Sequence, residues 1–297
     1  MSLLGDLMDY SRHVILGLPA SGKTTFLAAL WHLIQADEAD CRLVLQSYEG
    51  DVKYLNRIAE AWRTFQVVGR TSQIGDVDVS MIVKDPESET IAELRFPDLA
   101  GESFDTQVER RRVKPGYVEG FSDDAGVLLF IKVNKGRDLT IAELNERLPP
   151  ELLAAEAQAA DGPPAADAPR PTEWSVNLVS PQVRIVQILS DLLDPPFAVK
   201  PRRLAVMLSA WDVLGEPRPA PTEWLRQEMS LVDQFLSSNS DMFETRVYGV
   251  SAQGMDLEED DIDAMPQIAA SRRIIIDGPD VRPHDLTAPL IWLMTGA

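Results

Sequence analysis

A glycine-rich run near the amino terminus constrains this chain more than any other feature: residues 17–24 read Gly-Leu-Pro-Ala-Ser-Gly-Lys-Thr. The run matches G-x-x-x-x-G-K-T, a pattern whose backbone N–H groups and helix end converge on a phosphate. The apolar residues 14–16 before it predict a strand, and apolar residues on one face of 26–34 predict a helix. This strand, loop and helix favour nucleotide binding over the alternative, a glycine turn that happens to carry a lysine.

Each fixed position of the loop has a chemical role. Gly17 and Gly22 allow the backbone to turn tightly around an anion. Lys23 is expected to reach the β- and γ-phosphates, and the Thr24 hydroxyl to bind Mg²⁺. The nucleotide-binding residues predicted from this loop are Gly17, Leu18, Pro19, Ala20, Ser21, Gly22, Lys23, Thr24 and Thr25.

Composition narrows the class of protein. The 28 basic and 47 acidic residues give a net charge of −19, which argues against general nucleic-acid binding. No apolar stretch approaches the roughly 20 residues that span a bilayer, so we expect no membrane span.

The single cysteine, Cys41, permits no disulfide within the chain and fits a reducing cytoplasm. Residues 1–11 contain acidic residues and lack a cleavage site, so they predict an amino-terminal extension and not a signal peptide.

Apolar strands alternate with amphipathic helices along the rest of the chain. This order predicts an α/β fold: a three-layer α/β/α sandwich around a mostly parallel sheet with one antiparallel strand. We expect one domain over residues 12–297, with insertions at about 41–65 and 136–175. The second insertion is rich in alanine and proline, and so little apolar surface cannot offset the entropy of ordering it, so we expect it to be partly disordered.

Two polar segments next to predicted strands carry candidate magnesium and γ-phosphate contacts. Asp98 ends a strand and is suited to hold Mg²⁺ through water, and Gly101 can present its N–H to the γ-phosphate. Thr71 is the candidate hydroxyl that completes the Mg²⁺ coordination, and Arg70 could reach the phosphates. The alternative for the Arg70-Thr71 segment is an ordinary polar turn.

Taken in order, these motifs resemble the Ras-like and Gα-like GTPases of the translation-factor-related P-loop class. The chain looks more like the double-GTPase families of bacterial conflict systems. Those families share the Gly-x-x-x-x-Gly-Lys-Thr-Thr-Phe-Leu opening, an inserted helix with tryptophan before Arg-Thr, and Asp-x-x-Gly-Glu. The matching residues here are 17–27, Trp62 followed by 70–71, and 98–102. The resemblance implies a GTPase G-domain with switch I around Thr71 and switch II around Glu102.

The residues that would read the base depart from the family pattern. Such GTPases carry Asn-Lys-x-Asp, whereas residues 209–212 here read Ser-Ala-Trp-Asp. The resemblance gives Asp212 the role of the guanine-reading carboxylate, and Ser251 with Ala252 that of the loop whose N–H supports the guanine oxygen. Trp211 either stacks on the base or belongs to the core. A carboxylate that pairs with the base favours GTP over ATP.

The function expected from these residues is a GTP-binding and GTP-hydrolysing molecular switch that acts through an effector or activating protein. The residues expected to carry catalysis are Lys23, Glu102, Arg70 and Thr71, with Mg²⁺ held by Thr24, Thr71 and Asp98. Ras-like proteins carry glutamine where this chain has Glu102, and the added negative charge near the γ-phosphate predicts slow intrinsic hydrolysis. The alternatives are a nucleotide-binding scaffold without turnover and a P-loop ATPase or kinase.

Overall fold

The computed structural model describes residues 10–36, 41–67, 79–97, 102–121, 126–134, 176, 179–255, 257 and 268–297. Within these ranges the strands are β1 (Ser11–Gly17), β2 (Val44–Glu49), β3 (Val79–Lys84), β4 (Ile91–Phe96), β5 (Gly126–Lys132), β6 (Arg202–Ser209), β7 (Phe243–Ser251) and β8 (Ile275–Asp277). The α-helices are α1 (Lys23–Gln35), α2 (Val52–Arg63), α3 (Glu102–Arg110), α4 (Pro115–Glu119), α5 (Pro181–Asp191), α6 (Pro221–Glu228), α7 (Ser230–Ser238) and α8 (Ala288–Thr295). Among the described residues, short 3-10 helices span Trp211–Leu214 and Ala270–Arg273.

The described strands form one sheet in the order β2-β3-β4-β1-β5-β6-β7-β8. Strands β4, β1, β5, β6 and β7 are parallel neighbours, while β3 is antiparallel to β4. The predicted mostly parallel α/β fold is confirmed. One antiparallel strand was predicted, and the sheet has a second, β8, which pairs antiparallel with β7. Strand β8 is only three residues long.

Helices cover both faces of the sheet, as the three-layer prediction required. The central strand β5 is buried from Gly126 to Ile131, which is typical of a parallel strand with helices on both sides. One core lies between the sheet and helices α1, α2 and α8, with Phe26, Leu27, Trp31, Trp62, Leu290 and Trp292 among its members. The opposite core lies under α3, α5, α6 and α7, with Phe104, Ile188, Leu189, Trp224 and Val232 among its members.

Strand β2 and helix α2 lie within residues 41–65, the predicted first insertion. The side chain of Asp51 caps α2 by accepting a 2.8 Å hydrogen bond from the Lys53 N–H. Asn56 is exposed on this helix, and its side-chain oxygen accepts a 2.9 Å hydrogen bond from Nε1 of Trp31 on α1. Helix α2 is therefore joined to α1, the helix that follows the glycine-rich loop.

Parts of the predicted domain plan fall outside this description. Residues 1–9 of the amino-terminal extension and residues 136–175 of the second insertion lie outside the described residues. Strand β1 begins at Ser11, the last residue of the predicted extension. None of the helices in the described ranges combines the length and the apolar character that crossing a bilayer requires.

Candidate functional site

The glycine-rich loop runs from the end of β1 at Gly17 to the start of α1 at Lys23. Gly17 and Gly22 have φ angles of 153° and 90°, where side chains are strained. A Cβ on Gly17 would lie 2.5 Å from Oγ of Ser21 and 2.8 Å from the carbonyl oxygen of Phe130. The loop conformation therefore requires glycine at both fixed positions.

Lys23 lies across its own loop. Its side chain is buried, and Nζ donates hydrogen bonds of 2.6 Å to the Gly17 carbonyl and 3.0 Å to the Leu18 carbonyl. The ring of Phe104 lies 5.5 Å from the same nitrogen. Gly22 provides no side-chain cap for α1, and the first turn of that helix has no acidic residue. The ammonium group and the uncapped helix start therefore both favour an anion at this loop.

Ser209, the last residue of β6, holds the loop from the neighbouring strand. Its Oγ donates a 2.8 Å hydrogen bond to the carbonyl oxygen of Ser21, and both side chains are buried. A Cβ on Gly22 would lie only 3.0 Å from the Cβ of Ser209, so the two segments are in close contact. Serine stands here where the GTPases that this sequence resembles carry asparagine. Its side chain bonds β6 directly to the glycine-rich loop.

A groove of about 280 Å³ opens beside the loop. It is lined by loop and α1 residues (Ala20, Gly22, Thr25, Phe26), by residues at the ends of β5 and β6 (Phe130, Lys132, Ser209, Ala210, Asp212, Val213) and by Val67, Val250, Ser251, Ala252, Gln253, Met255 and Leu257. The predicted loop residues Ala20, Gly22 and Thr25 thus share one cavity with Asp212, Ser251 and Ala252. This is the arrangement that a ligand with an anionic end and a polar ring requires.

Trp211 does not line this groove, which corrects its predicted role in nucleotide binding. The indole is fully buried, and Nε1 donates a 2.6 Å hydrogen bond to the Asp277 carboxylate. The ring packs edge-on against Trp224 and occupies the space that Gly249 leaves open on β7. Trp211 is therefore a core residue beneath the groove, the second of the two roles considered for it.

The loop after β7 is held in a fixed turn. Ser251 Oγ accepts a 2.8 Å hydrogen bond from the Gly254 N–H, and Gly254 has a φ of 78°. Ser251 and Ala252 are both buried, yet both line the groove. We call residues 251–255 the base loop, after the role that the resemblance implies for Ser251 and Ala252.

Lys132 was missed by the sequence reasoning. It is the exposed last residue of β5 and lies beside Ser209 in the sheet register. Among the described lining residues of the groove, Lys132 and Asp212 are the charged ones. The one sequence signal for Lys132 was a basic residue at the end of an otherwise apolar strand. A strand end that merely faces solvent shows the same pattern.

Several predicted residues cannot be related to the groove. Arg70, Thr71, Asp98 and Gly101 lie outside the described residues, and Glu102 is described only by its backbone, at the start of α3.

Helix α3 itself is held against α5 by polar contacts. Asp105 accepts a 3.0 Å hydrogen bond from Nη1 of Arg184, and Gln107 Nε2 donates a 2.9 Å hydrogen bond to Asp191. The helix that begins at Glu102 is therefore fixed at positions three and five residues beyond it.

Comparison with known proteins identifies a family that matches this chain. A family model described as Double-GTPase 1 matches residues 14–293. Bacterial selenocysteine-specific elongation factor EF-Sec is 14% identical, with a TM-score of 0.36 over 85% of this chain and 27% of its own. The S. cerevisiae Ski7 GTPase-like domain bound to GTP is 13% identical, with a TM-score of 0.40 over 87% of this chain and 46% of its own.

The chain thus spans less than half the length of either solved structure. No curated protein matches it. The family match, however, extends over nearly the whole chain and includes the glycine-rich loop, Asp212 and the base loop. The chain therefore belongs to the Double-GTPase 1 family and is a P-loop GTPase of the double-GTPase type.

Proposed function

We propose that this protein is a molecular switch that binds GTP in the groove, hydrolyses it slowly to GDP and acts through a protein partner. The observation that carries the proposal is the groove itself, since one cavity joins the glycine-rich loop to Asp212 and the base loop. A scaffold for phosphate alone would not need a carboxylate at the other end of the cavity.

The phosphates bind at the glycine-rich loop in this proposal. The Lys23 ammonium exchanges its bonds to the Gly17 and Leu18 carbonyls for bonds to β- and γ-phosphate oxygens. The half-buried Thr24, next to Lys23 at the start of α1, offers a hydroxyl oxygen, the kind of donor that Mg²⁺ prefers. Thr24, with Asp98 and Thr71, would hold Mg²⁺, which would neutralise phosphate charge when bound.

The base binds at the other end of the groove. The Asp212 carboxylate accepts hydrogen bonds from the ring N–H and the exocyclic amine of guanine, which adenine cannot offer in that arrangement. The N–H of Ala252 in the base loop donates to the guanine oxygen. Loss of a buried polar pairing of this kind costs on the order of 10²-fold or more in discrimination, so GTP is preferred over ATP.

Hydrolysis proceeds by in-line attack of water on the γ-phosphate. The Glu102 carboxylate orients the water, and Lys23 stabilises the charge that develops on the phosphate. The negative charge of Glu102 also opposes the approach of the γ-phosphate, so intrinsic turnover is slow. Arg70, or an arginine from an activating protein, would accelerate the reaction.

In this proposal the partner distinguishes bound GTP from bound GDP through the segments around Thr71 and Glu102. The γ-phosphate orders these segments through Thr71 and Gly101, and its loss after hydrolysis releases them. The contacts of α3 with Arg184 and Asp191 on α5 carry the change to the neighbouring helices. An effector that reads this surface distinguishes the GTP form from the GDP form.

Calorimetric titration with GTP, GDP and ATP in the presence of Mg²⁺ tests the ligand assignment. We expect the wild-type protein to bind GTP and GDP and to bind ATP at least about 100-fold more weakly. Asp212→Ala should remove this preference, whereas Asp241→Ala, at an exposed turn, should preserve it. Equal affinity of the wild-type protein for GTP and ATP would contradict the proposal.

Single-turnover cleavage of GTP tests the catalytic assignment. We expect slow release of phosphate by the wild-type protein and faster release by Glu102→Gln, because the glutamine orients water without adding negative charge. A fast wild-type rate with no change in the variant would exclude the role of Glu102. Absence of phosphate release over hours would instead favour the nucleotide-binding scaffold.

A further inference from the structure

We propose that Trp62, on the inserted helix α2, is a positioning residue that sets specificity for the oxygen at position 6 of the purine. The inference rests on the proposed function, since it concerns how the base loop is held for guanine. It adds a residue that is distant from the base loop in sequence and does not itself line the groove.

Trp62 is bonded directly to the base loop. Its side chain is fully buried, and Nε1 donates a 2.8 Å hydrogen bond to the carbonyl oxygen of Ala252. A trans peptide is planar, with its N–H opposite its carbonyl, so the Gln253 N–H points away from the indole. Anchoring this carbonyl on α2 fixes the plane of the Ala252–Gln253 peptide, which directly follows the Ala252 N–H assigned to the guanine oxygen, and both residues line the groove.

The main chain of Trp62 is itself held by hydrogen bonds from neighbouring side chains. Its carbonyl oxygen accepts hydrogen bonds of 3.0 Å from Nη2 of Arg273 and 3.4 Å from Nε2 of Gln253. The Arg273 guanidinium lies 5.0 Å from the Trp62 ring and 3.9 Å from the Phe65 ring. The end of α2, the base loop and the 3-10 helix Ala270–Arg273 therefore form one bonded cluster.

The base loop has little freedom to move away from this cluster. A Cβ added to Gly254 would lie 2.1 Å from the carbonyl oxygen of Arg273, so the loop backbone packs directly on the 3-10 helix. The chain that leaves α2 also forms part of the groove wall at Val67. Trp62 thus fixes the loop from the side of the insertion, and in this proposal a shift of the indole moves the Ala252 N–H relative to the guanine oxygen.

The test compares GTP with 2-aminopurine riboside triphosphate, which lacks the 6-oxygen. Trp62→Phe keeps an aromatic ring and removes the N–H. We expect its affinity for GTP to fall about tenfold while its affinity for the analogue stays within about twofold of wild type, because one hydrogen bond at the 6-oxygen is lost. The analogue also lacks the proton that guanine carries on ring N1. This difference affects the wild-type and variant proteins equally, so it cancels when their affinities are compared as a ratio.

Trp292→Phe is the matched control. Trp292 is equally buried, and its Nε1 has no hydrogen-bond partner in the described part of the chain. This variant removes the same volume from the core, so it reports the cost of altered packing. We expect the ratio of GTP to analogue affinity to remain at the wild-type value.

The outcomes separate the inference from the proposed function. An equal loss of both nucleotides in Trp62→Phe, or no loss of either, would overturn the positioning role while GTP binding by the wild-type protein still supports the function. Failure of the wild-type protein to bind GTP would overturn both. If Trp62→Phe does not fold, Arg273→Met removes the bond to the Trp62 carbonyl and should show the same selective loss, and an unchanged ratio there would overturn the inference.

Discussion

Ser209 Oγ donates a 2.8 Å hydrogen bond to the carbonyl oxygen of Ser21, which ties the end of β6 to the glycine-rich loop. The residues that follow Ser209 lead directly to Asp212. This bond therefore helps to hold the glycine-rich loop against the end of β6 that leads to Asp212.

Ser209→Ala should weaken binding of GTP, GDP and ATP by a similar factor of about five, because one buried hydrogen bond is worth about 1 kcal/mol. The base preference should persist, since Asp212 is unchanged. Calorimetry with the three nucleotides measures this, with Ser238→Ala at the exposed end of α7 as control. A loss confined to GTP would show that Ser209 acts on the base and not on the loop.

Lys23→Met should reduce GTP affinity by about 10- to 100-fold, because hydrogen bonds to a charged group are worth roughly 1.5–3 kcal/mol. Methionine keeps most of the buried side-chain volume, so the fold should be retained. The exposed Lys53→Met on α2 serves as a matched control for loss of one positive charge. Competition with a fluorescent GTP analogue gives both affinities, and equal values for the two variants would refute the role of Lys23.

The contact between Asp105 and Arg184 predicts an effect on hydrolysis without an effect on binding. Arg184→Met removes a 3.0 Å bond, one of those that hold α3 on α5, so the start of α3 at Glu102 should become less well fixed. We expect single-turnover hydrolysis to slow about fivefold, as for other changes in coupling contacts. Arg226→Met, which breaks only an exposed ion pair within α6, should leave the rate unchanged. A parallel loss of GTP affinity in Arg184→Met would contradict a purely positional role.

His13 on β1 predicts a pH dependence of stability. Its Nδ1 accepts a 3.1 Å hydrogen bond from the Gly126 N–H, while Nε2 lies 3.0 Å from Ser11 Oγ, so the neutral ring fits the site. Burial, and then the positive charge of Arg203, lower the pKa of His13 to about 4. The folded-state pKa lies below the unfolded value of about 6.5, so the stabilisation is complete above pH 6.5 and is lost as the pH falls towards 4.

We therefore expect the wild-type protein to lose about 3 kcal/mol more unfolding free energy between pH 7 and pH 4 than His13→Gln, which cannot titrate. Urea unfolding of the two proteins at several pH values measures the difference. The carboxyl groups titrate in both proteins, so their contribution cancels. Parallel stability curves would show that His13 does not couple to folding.

The sequence predicted those parts of the molecule that local patterns encode. The apolar run of β5, the glycine-rich loop and the order of the strands were sufficient for the α/β fold. Asp212 and Ala252 were predicted from the resemblance to GTPases, which gives both residues a role at the base. The strands that precede them, β6 and β7, end at the same sheet edge as β1, because the carboxyl ends of parallel strands meet there.

The remaining features depend on contacts between distant residues. An aromatic residue after a strand has the same pattern whether it stacks on a ligand or enters the core, so Trp211 was ambiguous. The bond from Trp62 to Ala252 joins residues 190 positions apart, and no local period reports it. Lys132 was missed because a single charged residue at the end of a strand is common in any soluble protein.

The close approach of Trp211 to Gly249 has a consequence for related sequences. A Cβ at position 249 would lie 2.3 Å from the indole, so even alanine there would force the ring out of its site. Positions 211 and 249 should therefore change together among homologues: tryptophan at the first demands glycine at the second, while smaller aromatic or aliphatic residues at 211 release that restriction. In an alignment of the family, this pair of positions would distinguish the chains that contain the buried indole from those that lack it.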